Sequence, residues 1–310
     1  MTATVRLTLG TRGSPLALAQ ANEARRRLSE AHGWDMDAIA LRIIRTTGDR
    51  IQDRPLAEAG GKGLFTKEID TALLAGEVDA AIHSAKDLPA LLPEEIALAG
   101  FLPREDPRDA FVSRLADRFD GLPRGASFGA ASLRRQAQAL RLRPDLVPVL
   151  LRGNVETRLR KAEAGEIGAT LLAMAGLKRL GLVHHARSAL DIDAFLPAPA
   201  QGAIAMTARA ADFPTLGLLA AIADPATVSE VTAERAYLAT LEGSCRTPIA
   251  GLARFAAGRL AFRGEVLRID GSESFAVAAE GSGADAASLG SEAGRELLAR
   301  LPAGIISGRG

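Results

Sequence analysis

Of 310 residues, one is cysteine, one tryptophan, one tyrosine and four histidine, and aromatic residues make up only 4% of the chain. One cysteine excludes an internal disulfide and any multi-thiolate metal site. The scarcity of aromatics leaves few platforms on which unpaired bases could stack, which argues against a nucleic-acid partner. No apolar run approaches the roughly 20 residues that span a bilayer; the stretch from Gly168 to Leu177 is among the longest. No charged, apolar, small-residue signal pattern opens the chain, so a cytoplasmic protein without a membrane role is expected. The histidines show no ligand spacing with a carboxylate pair or with the cysteine, and no metal site is expected.

What is present is an ordinary globular composition, 47% hydrophobic and 24% charged, long enough for two or three domains. The formal net charge of +1 hides an uneven distribution. Arg104 to Arg187 carries 14 arginines and 2 lysines against 9 acids, an excess of seven positive charges. Arginine outnumbers lysine 33 to 5 overall. Most of that excess reads as solvated surface, except where arginine sits in turns beside Gly, Ser or Asn. There its planar fork suits carboxylate or phosphate.

Apolar strands alternate with helical segments through the first hundred residues. Strands are expected at Val5–Gly10, Ile39–Ile44, Ala80–Ser84 and Ile96–Phe101, and helices from Ser14 and Pro15 to His32 and over Phe65–Leu74. Such alternation implies a mostly parallel sheet covered by helices. After the Pro-marked break at residues 102–108 a second series follows, with strands at Ala110–Ser113, Ala126–Ala130, Leu146–Leu151 and Gly168–Ala173 and helices at Ser132–Arg143 and Asn154–Ala164. A second break, Leu196-Pro197-Ala198-Pro199, precedes a strand at Ala203–Ala208. Two segments flanked by such breaks suggest paired lobes with a cleft. Beyond Asp224-Pro225 a helix (Thr227–Leu241), three antiparallel strands and a closing helix (Ala286–Leu301) describe a small α+β domain.

Four segments put cations or hydroxyls at expected strand-to-helix junctions: Thr11-Arg12-Gly13-Ser14-Pro15, Ala131 to Gln136, Arg152 to Arg158, and Gly176 to Arg179. A helix N-terminus carrying Arg and Ser is an anion site. Each alone has a plain structural explanation, Ser14 and Ser132 as caps and adjacent arginines facing solvent; four together, at the strand ends where α/β sheets bind ligands, point to function. His83-Ser84-Ala85-Lys86-Asp87 ends another strand, with Asp87 beside Lys86, while His83 reads as a packed or hydrogen-bonded histidine. Cys245 lies in a Gly/Ser/Pro loop next to Arg246, which favours thiolate and makes a covalent role plausible. Gly60-Gly61-Lys62-Gly63 lacks the spacing of a nucleotide phosphate loop, and residues 49–62 read as a lid with glycine hinges.

In order along nearly the whole chain, TRGSPLALAQ, GGKGLFTKEID, HSAKDLP, ASLRRQ, RGNVETRLRK, AGLKRLGL, PAQGAIA and LEGSCRTPI resemble the porphobilinogen deaminase (hydroxymethylbilane synthase) family. The resemblance implies an α/β fold of two periplasmic-binding-protein-like lobes, residues 1–102 with 201–222 and residues 103–200, plus a small α+β C-terminal domain, residues 223–310. It implies a transferase of porphyrin and haem biosynthesis that joins four porphobilinogens head to tail, releases ammonia each time, and hydrolyses the product to hydroxymethylbilane. A covalent dipyrromethane cofactor would hang from Cys245 by a thioether, with Asp87 as the catalytic carboxylate. Lys86, Ser84, Ser132, Arg134, Arg135 and Asp49 would hold the cofactor. Arg12, Ser14, Arg152, Arg158, Arg179, Gln201 and Lys62 would hold substrate. Porphobilinogen is the implied small-molecule partner, and the resemblance favours a monomer.

The sequence departs from the family pattern where Ala130-Ala131 stand in place of hydroxyl residues, and where Ser244 and Arg246 flank the cysteine. The rival reading is a non-catalytic anion-binding protein with two α/β lobes. Such a receptor would need neither Asp87 nor Cys245.

Overall fold

Apolar runs bounded by turn residues become the strands of three sheets. The computed structural model describes residues 4–50, 63–241, 247–302 and 304–306, leaving aside the side chains of residues 49 and 50. In chain order the elements are β1 (Leu7–Thr11), α1 (Pro15–His32), β2 (Ile39–Ile43), α2 (Thr47–Arg50), α3 (Lys67–Leu74), β3 (Ala80–Ser84), β4 (Ile96–Phe101), β5 (Asp109–Ser113) and β6 (Ser127–Gly129). Next come α4 (Leu133–Leu142), β7 (Val147–Val149), α5 (Val155–Glu163), β8 (Ala169–Ala173), α6 (Met174–Arg179), β9 (Ser188–Ala189) and β10 (Ile204–Arg209). The chain ends with α7 (Phe213–Ala220), α8 (Pro225–Thr240), β11 (Ile249–Ala256), β12 (Arg259–Leu267), β13 (Ser274–Ser282) and α9 (Ala286–Arg300).

The described residues form two compact units, one from the chain up to Glu105 with Ala203–Val228, the other from Asp106–Gly202 with the chain from Ser229 onward. The first holds a sheet ordered β2-β1-β3-β10-β4, in which β1 pairs parallel with β2 and β3 and β10 runs antiparallel between β3 and β4. The mostly parallel expectation thus holds, with the exception supplied by the strand that returns after a hundred residues elsewhere. The second sheet repeats the device. Its order is β7-β6-β8-β5-β9, with β6 parallel to β7 and β8 and with β5 antiparallel to β8. Four elements were not anticipated: the short helices α2 and α6, the helix α7 and the two-residue edge strand β9. The second unit also carries the antiparallel β11-β12-β13 sheet, so the expected second and third domains fall within one compact unit.

Local chemistry explains where the helices begin. Ser14 Oγ accepts a hydrogen bond from Ala17 N at 3.3 Å, Pro15 takes the first helical position, and Gly33 closes α1 at φ 63°. Ala21, Ala24 and Leu28, three to four residues apart, bury one face of α1 on Leu7, Leu9 and Ile82 of the sheet. In the second unit, β5 alternates: Phe111 enters one apolar cluster while Ala110 and Val112 enter another on the opposite face. Four of the ten phenylalanines concentrate there, Phe119 meeting Phe111, Phe128 and Phe195 edge-on at 5.8, 6.2 and 5.0 Å between ring centres. In the C-terminal sheet Gly251 lies opposite Gly264 across β11 and β12. The notch receives the ring of Tyr237, and a Cβ on Gly264 would come within 2.6 Å of that ring.

Candidate active site

In the first unit, β1 and β3 lie side by side and parallel, and their carboxyl ends carry the residues singled out by sequence. Arg12 follows β1 directly, and Asp87 ends the 3-10 turn Ala85–Asp87 that follows β3. The two side chains stand 3.7 Å apart, 22% and 30% exposed, a loose pair worth at most about 1 kcal/mol by itself. Sequence adjacency set Lys86 beside Asp87; Lys86 is exposed, and Arg12, far away in sequence, stands against the carboxylate. Arg12 also stacks on Phe65, its guanidinium carbon 4.3 Å from the ring centre, a contact that sequence reading missed. Ser84 Oγ donates to Gln20 Oε1 at 3.0 Å, and Gln20 is buried on α1. His83 is buried beside Thr207, Nε2 to Oγ1 3.3 Å, and burial followed by the Arg12 charge holds its pKa down to about 4. Arg12, Ser14, Thr66, Ser84 and Asp87 line one cavity of about 60 Å³.

The second unit distributes its arginines differently from expectation. Arg134 and Arg135, in the first turn of α4 behind the Ser132 cap, are buried rather than turned outward. Both close on Asp109, which is fully buried at the start of β5: Arg134 Nη2 donates to Oδ2 at 2.8 Å, and Arg135 donates to Oδ1 from Nη2 at 2.7 Å and from Nε at 3.2 Å. Gln201 is likewise buried and off any strand, in the turn before β10, where its amide donates to Asp109 Oδ1 at 2.9 Å and to Pro107 O at 2.7 Å. Burial alone would raise the pKa of Asp109, but the two guanidiniums reverse this and hold it well below the usual carboxylate range. Asp109 escaped sequence reading because one acid at the edge of an apolar strand gives no pattern.

Arg152, Arg158 and Arg179 are half-buried. Gly153 stands between Arg152 and the Asn154 cap of α5 at φ 116°, a backbone shape that favours glycine, and a Cβ there would meet Thr157 at 2.7 Å. Arg158 Nε donates to Gly153 O at 2.9 Å, and Arg179 Nη2 to Gly202 O at 2.9 Å. Lys178 and Arg179 were expected where a strand enters a helix; they end α6 instead, where cations complement the negative end of the helix. Cys245 and Lys62 lie outside the described residues, as does the side chain of Asp49 and residues 51–62 of the expected lid. Among the described residues no cluster of three metal-ligating side chains occurs.

A dipyrromethane carries carboxylate arms, so a protein that holds one must offer cations and hydroxyl donors. The donor set of the second unit fits on that chemistry. It supplies the Ser132 hydroxyl at a helix start and the half-buried Arg152, Arg158 and Arg179. Two of its buried polar atoms also have no hydrogen-bond partner among the described residues, Arg134 Nε and, two residues beyond Cys245, Thr247 Oγ1.

Comparison with known proteins extends over the same residues. Residues 7–216 match the family model of the porphobilinogen deaminase dipyromethane cofactor binding domain, and residues 228–299 match that of the porphobilinogen deaminase C-terminal domain. A porphobilinogen deaminase of Paracoccus denitrificans is 56% identical over 95% of this chain and 94% of its own. One from Nitrobacter hamburgensis is 56% identical over 94% of this chain and 93% of its own. Among solved structures, a periplasmic substrate-binding protein of an ABC transporter from Coxiella burnetii aligns over 72% of this chain and 94% of its own, with 17% identity and a TM-score of 0.44. A TRAP periplasmic solute binding protein from Desulfovibrio salexigens aligns over 71% and 73%, with 10% identity and a TM-score of 0.42. Matches of that identity, running nearly end to end through the segments that carry Arg12, Asp87 and Arg152, place this chain in the porphobilinogen deaminase family.

Proposed function

We propose that the chain condenses four porphobilinogens head to tail, releasing ammonia at each step, and frees the product as hydroxymethylbilane by hydrolysis. The observation that carries the reading is the Arg12 and Asp87 pair, held 3.7 Å apart at the carboxyl ends of two adjacent parallel strands. A solute receptor of two lobes needs a cation for an anionic ligand but no carboxylate set against it.

Loss of ammonia from the aminomethyl carbon of porphobilinogen leaves a cationic azafulvene whose charge spreads to the pyrrole nitrogen. The Asp87 carboxylate is suited to accept the pyrrole N–H and to oppose that charge. Opposite unit charges about 4 Å apart attract by roughly 4 kcal/mol near a protein surface. The same oxygens can take the proton that the α-carbon releases once the new carbon–carbon bond has formed, while ammonia leaves from the protonated aminomethyl group and draws no proton from the carboxylate. Arg12, with Ser14 beside it, is suited to hold a carboxylate arm of the incoming pyrrole. Its guanidinium is oriented by Phe65 and stays charged throughout. Bound through a thioether at Cys245, dipyrromethane would supply the pyrrole carbon to which the first substrate is joined. Ser132, Arg134, Arg135, Ser84, Lys86 and Asp49 are the residues that would hold its arms, Arg134 through the Nε left over from its bonds to Asp109, Gln138 and Leu196. Arg152, Arg158, Arg179, Gln201 and Lys62 would serve substrate, Gln201 indirectly through Asp109. Three domains, a cytoplasmic location and a monomeric state, without nucleic-acid or membrane partners, belong to the same reading.

Intact-mass measurement and turnover of porphobilinogen test it together. The purified wild type is expected to carry a two-pyrrole adduct that Cys245→Ser lacks. Asp87→Asn is expected to keep the adduct and lose nearly all ammonia release. An unmodified, fully active wild type removes the tether from the reading, and an active Asp87→Asn removes the carboxylate.

A further inference from the structure

Thr66 stands at the N-cap of α3, where a threonine ordinarily turns its hydroxyl onto the unpaired N–H groups of the first helical turn. It makes no such bond. The residue is 1% exposed, and Oγ1 has no hydrogen-bond partner among the described residues. Asp70, one turn along α3, feels the hydroxyl, which offsets part of the rise that burial imposes on its pKa, yet no contact between them meets hydrogen-bond geometry. Leaving a buried hydroxyl unpaired is unfavourable, and native proteins do so rarely without cause.

Three observations indicate what the hydroxyl is for. Thr66 lines the cavity that holds Arg12, Ser14 and Asp87. Its chain neighbour Phe65 lies under the Arg12 guanidinium at 4.3 Å, which keeps this stretch of chain beside the cation. The cavity, about 60 Å³, has room for a carboxylate. A cation beside a hydroxyl donor selects an anion, and the carboxylate end of a side arm is the anionic part of the substrate.

We propose that the Thr66 hydroxyl is a specificity-determining donor to one carboxylate arm of the substrate pyrrole, seated in this cavity with Arg12 as its counter-charge. The inference rests on the functional reading above. It separates the two roles of a buried hydroxyl by sign. A hydroxyl that serves the protein stabilises the fold, whereas one kept for a ligand leaves the unliganded fold no better off for its presence.

The test uses the full-length protein purified with its cofactor, as wild type, Thr66→Val and Thr66→Ser. Valine keeps the shape and removes the donor; serine keeps the donor. For Thr66→Val the expected result is a KM for porphobilinogen about tenfold higher, the scale of one lost hydrogen bond to a charged group. The kcat should stay within about twofold, the pattern of lost ground-state binding. Its thermal midpoint should equal or exceed that of wild type, and Thr66→Ser should restore KM. A KM for Thr66→Val within twofold of wild type overturns the inference. So does a lowered midpoint that serine restores, because the hydroxyl then serves the fold through Asp70. A wild type that releases no ammonia from porphobilinogen refutes the functional reading and this inference with it; an active wild type with an insensitive valine variant refutes the inference alone.

Discussion

Asp109→Asn isolates the largest buried electrostatic commitment among the described residues. The carboxylate is fully buried and accepts four hydrogen bonds, three from the guanidiniums of Arg134 and Arg135 and one from the Gln201 amide. Asparagine keeps the shape, removes the charge and turns an NH2 toward donors, leaving two buried cations without their counter-charge. Breaking one partner of a buried ion pair costs about 3–5 kcal/mol. For a unit of this size each kcal/mol moves the midpoint by roughly 2–4 °C, so a fall of about 6–20 °C is expected by calorimetry, with a matching loss in urea melts. The pH dependence has a definite sign. The folded pKa of Asp109 lies below the unfolded value of about 3.9, so its stabilisation is complete above that value and is lost as pH falls through the folded one. The gap between wild type and Asp109→Asn should therefore be constant from neutral pH to about pH 5 and narrow below about pH 4. A loss under 1 kcal/mol at pH 7, or a gap that widens in acid, would refute the argument that the carboxylate charge holds the arginine pair.

His83 should act in a neighbouring pH window. Its folded pKa of about 4 lies below the ordinary 6.5, so the unfolded chain takes up the proton first and stability falls as pH drops from about 6.5 to 4. The full drop is on the order of 3 kcal/mol, and His83→Gln should flatten it in pH-dependent urea melts; an unchanged slope would assign the effect to other groups. Tyr237 is fully buried with its hydroxyl unpartnered among the described residues, so Tyr237→Phe should leave the midpoint unchanged or raise it. Gly264→Ala forces a Cβ to 2.6 Å from the Tyr237 ring and should cost about 1–3 kcal/mol, and a neutral outcome would mean that the ring has room to move.

The sequence carried the α/β series because most strands are short apolar runs and several helices announce their caps. Ser14 with Pro15, Ser132 and Asn154 all cap the helices expected of them. Boundaries moved by a few residues: the strand expected at Leu146–Leu151 shortened to Val147–Val149, since flanking apolar residues pack on the sheet without extending its ladder. β9 contributes two residues and cannot be read from any pattern. The site divides along the same line. Residues placed by strand ends, Arg12 and Asp87, come together because adjacent parallel strands end at one level. Roles that depend on which way a side chain turns were not legible. Arg134 and Arg135 face inward because Asp109, some 25 residues earlier in the chain, lies beneath α4.

That inward turn alters the meaning of the arginine-rich segment. A guanidinium can be oriented by a carboxylate or by a backbone carbonyl, and the two choices differ electrostatically. A carboxylate fixes the side chain and cancels its charge at a distance. A carbonyl fixes it through a dipole and leaves its net charge intact. Arg134 and Arg135 share one Asp109 carboxylate, so about half of their combined charge is neutralised inside the unit. Arg158 and Arg179 each donate to the carbonyl of a glycine turn, Gly153 and Gly202, and those bonds leave the charge undiminished. The carboxylate-bound pair, with Gln201, would keep α4 and the turn before β10 in register with β5. Charge counted along the sequence assigns all these arginines one role; the identity of the group that orients each of them assigns two.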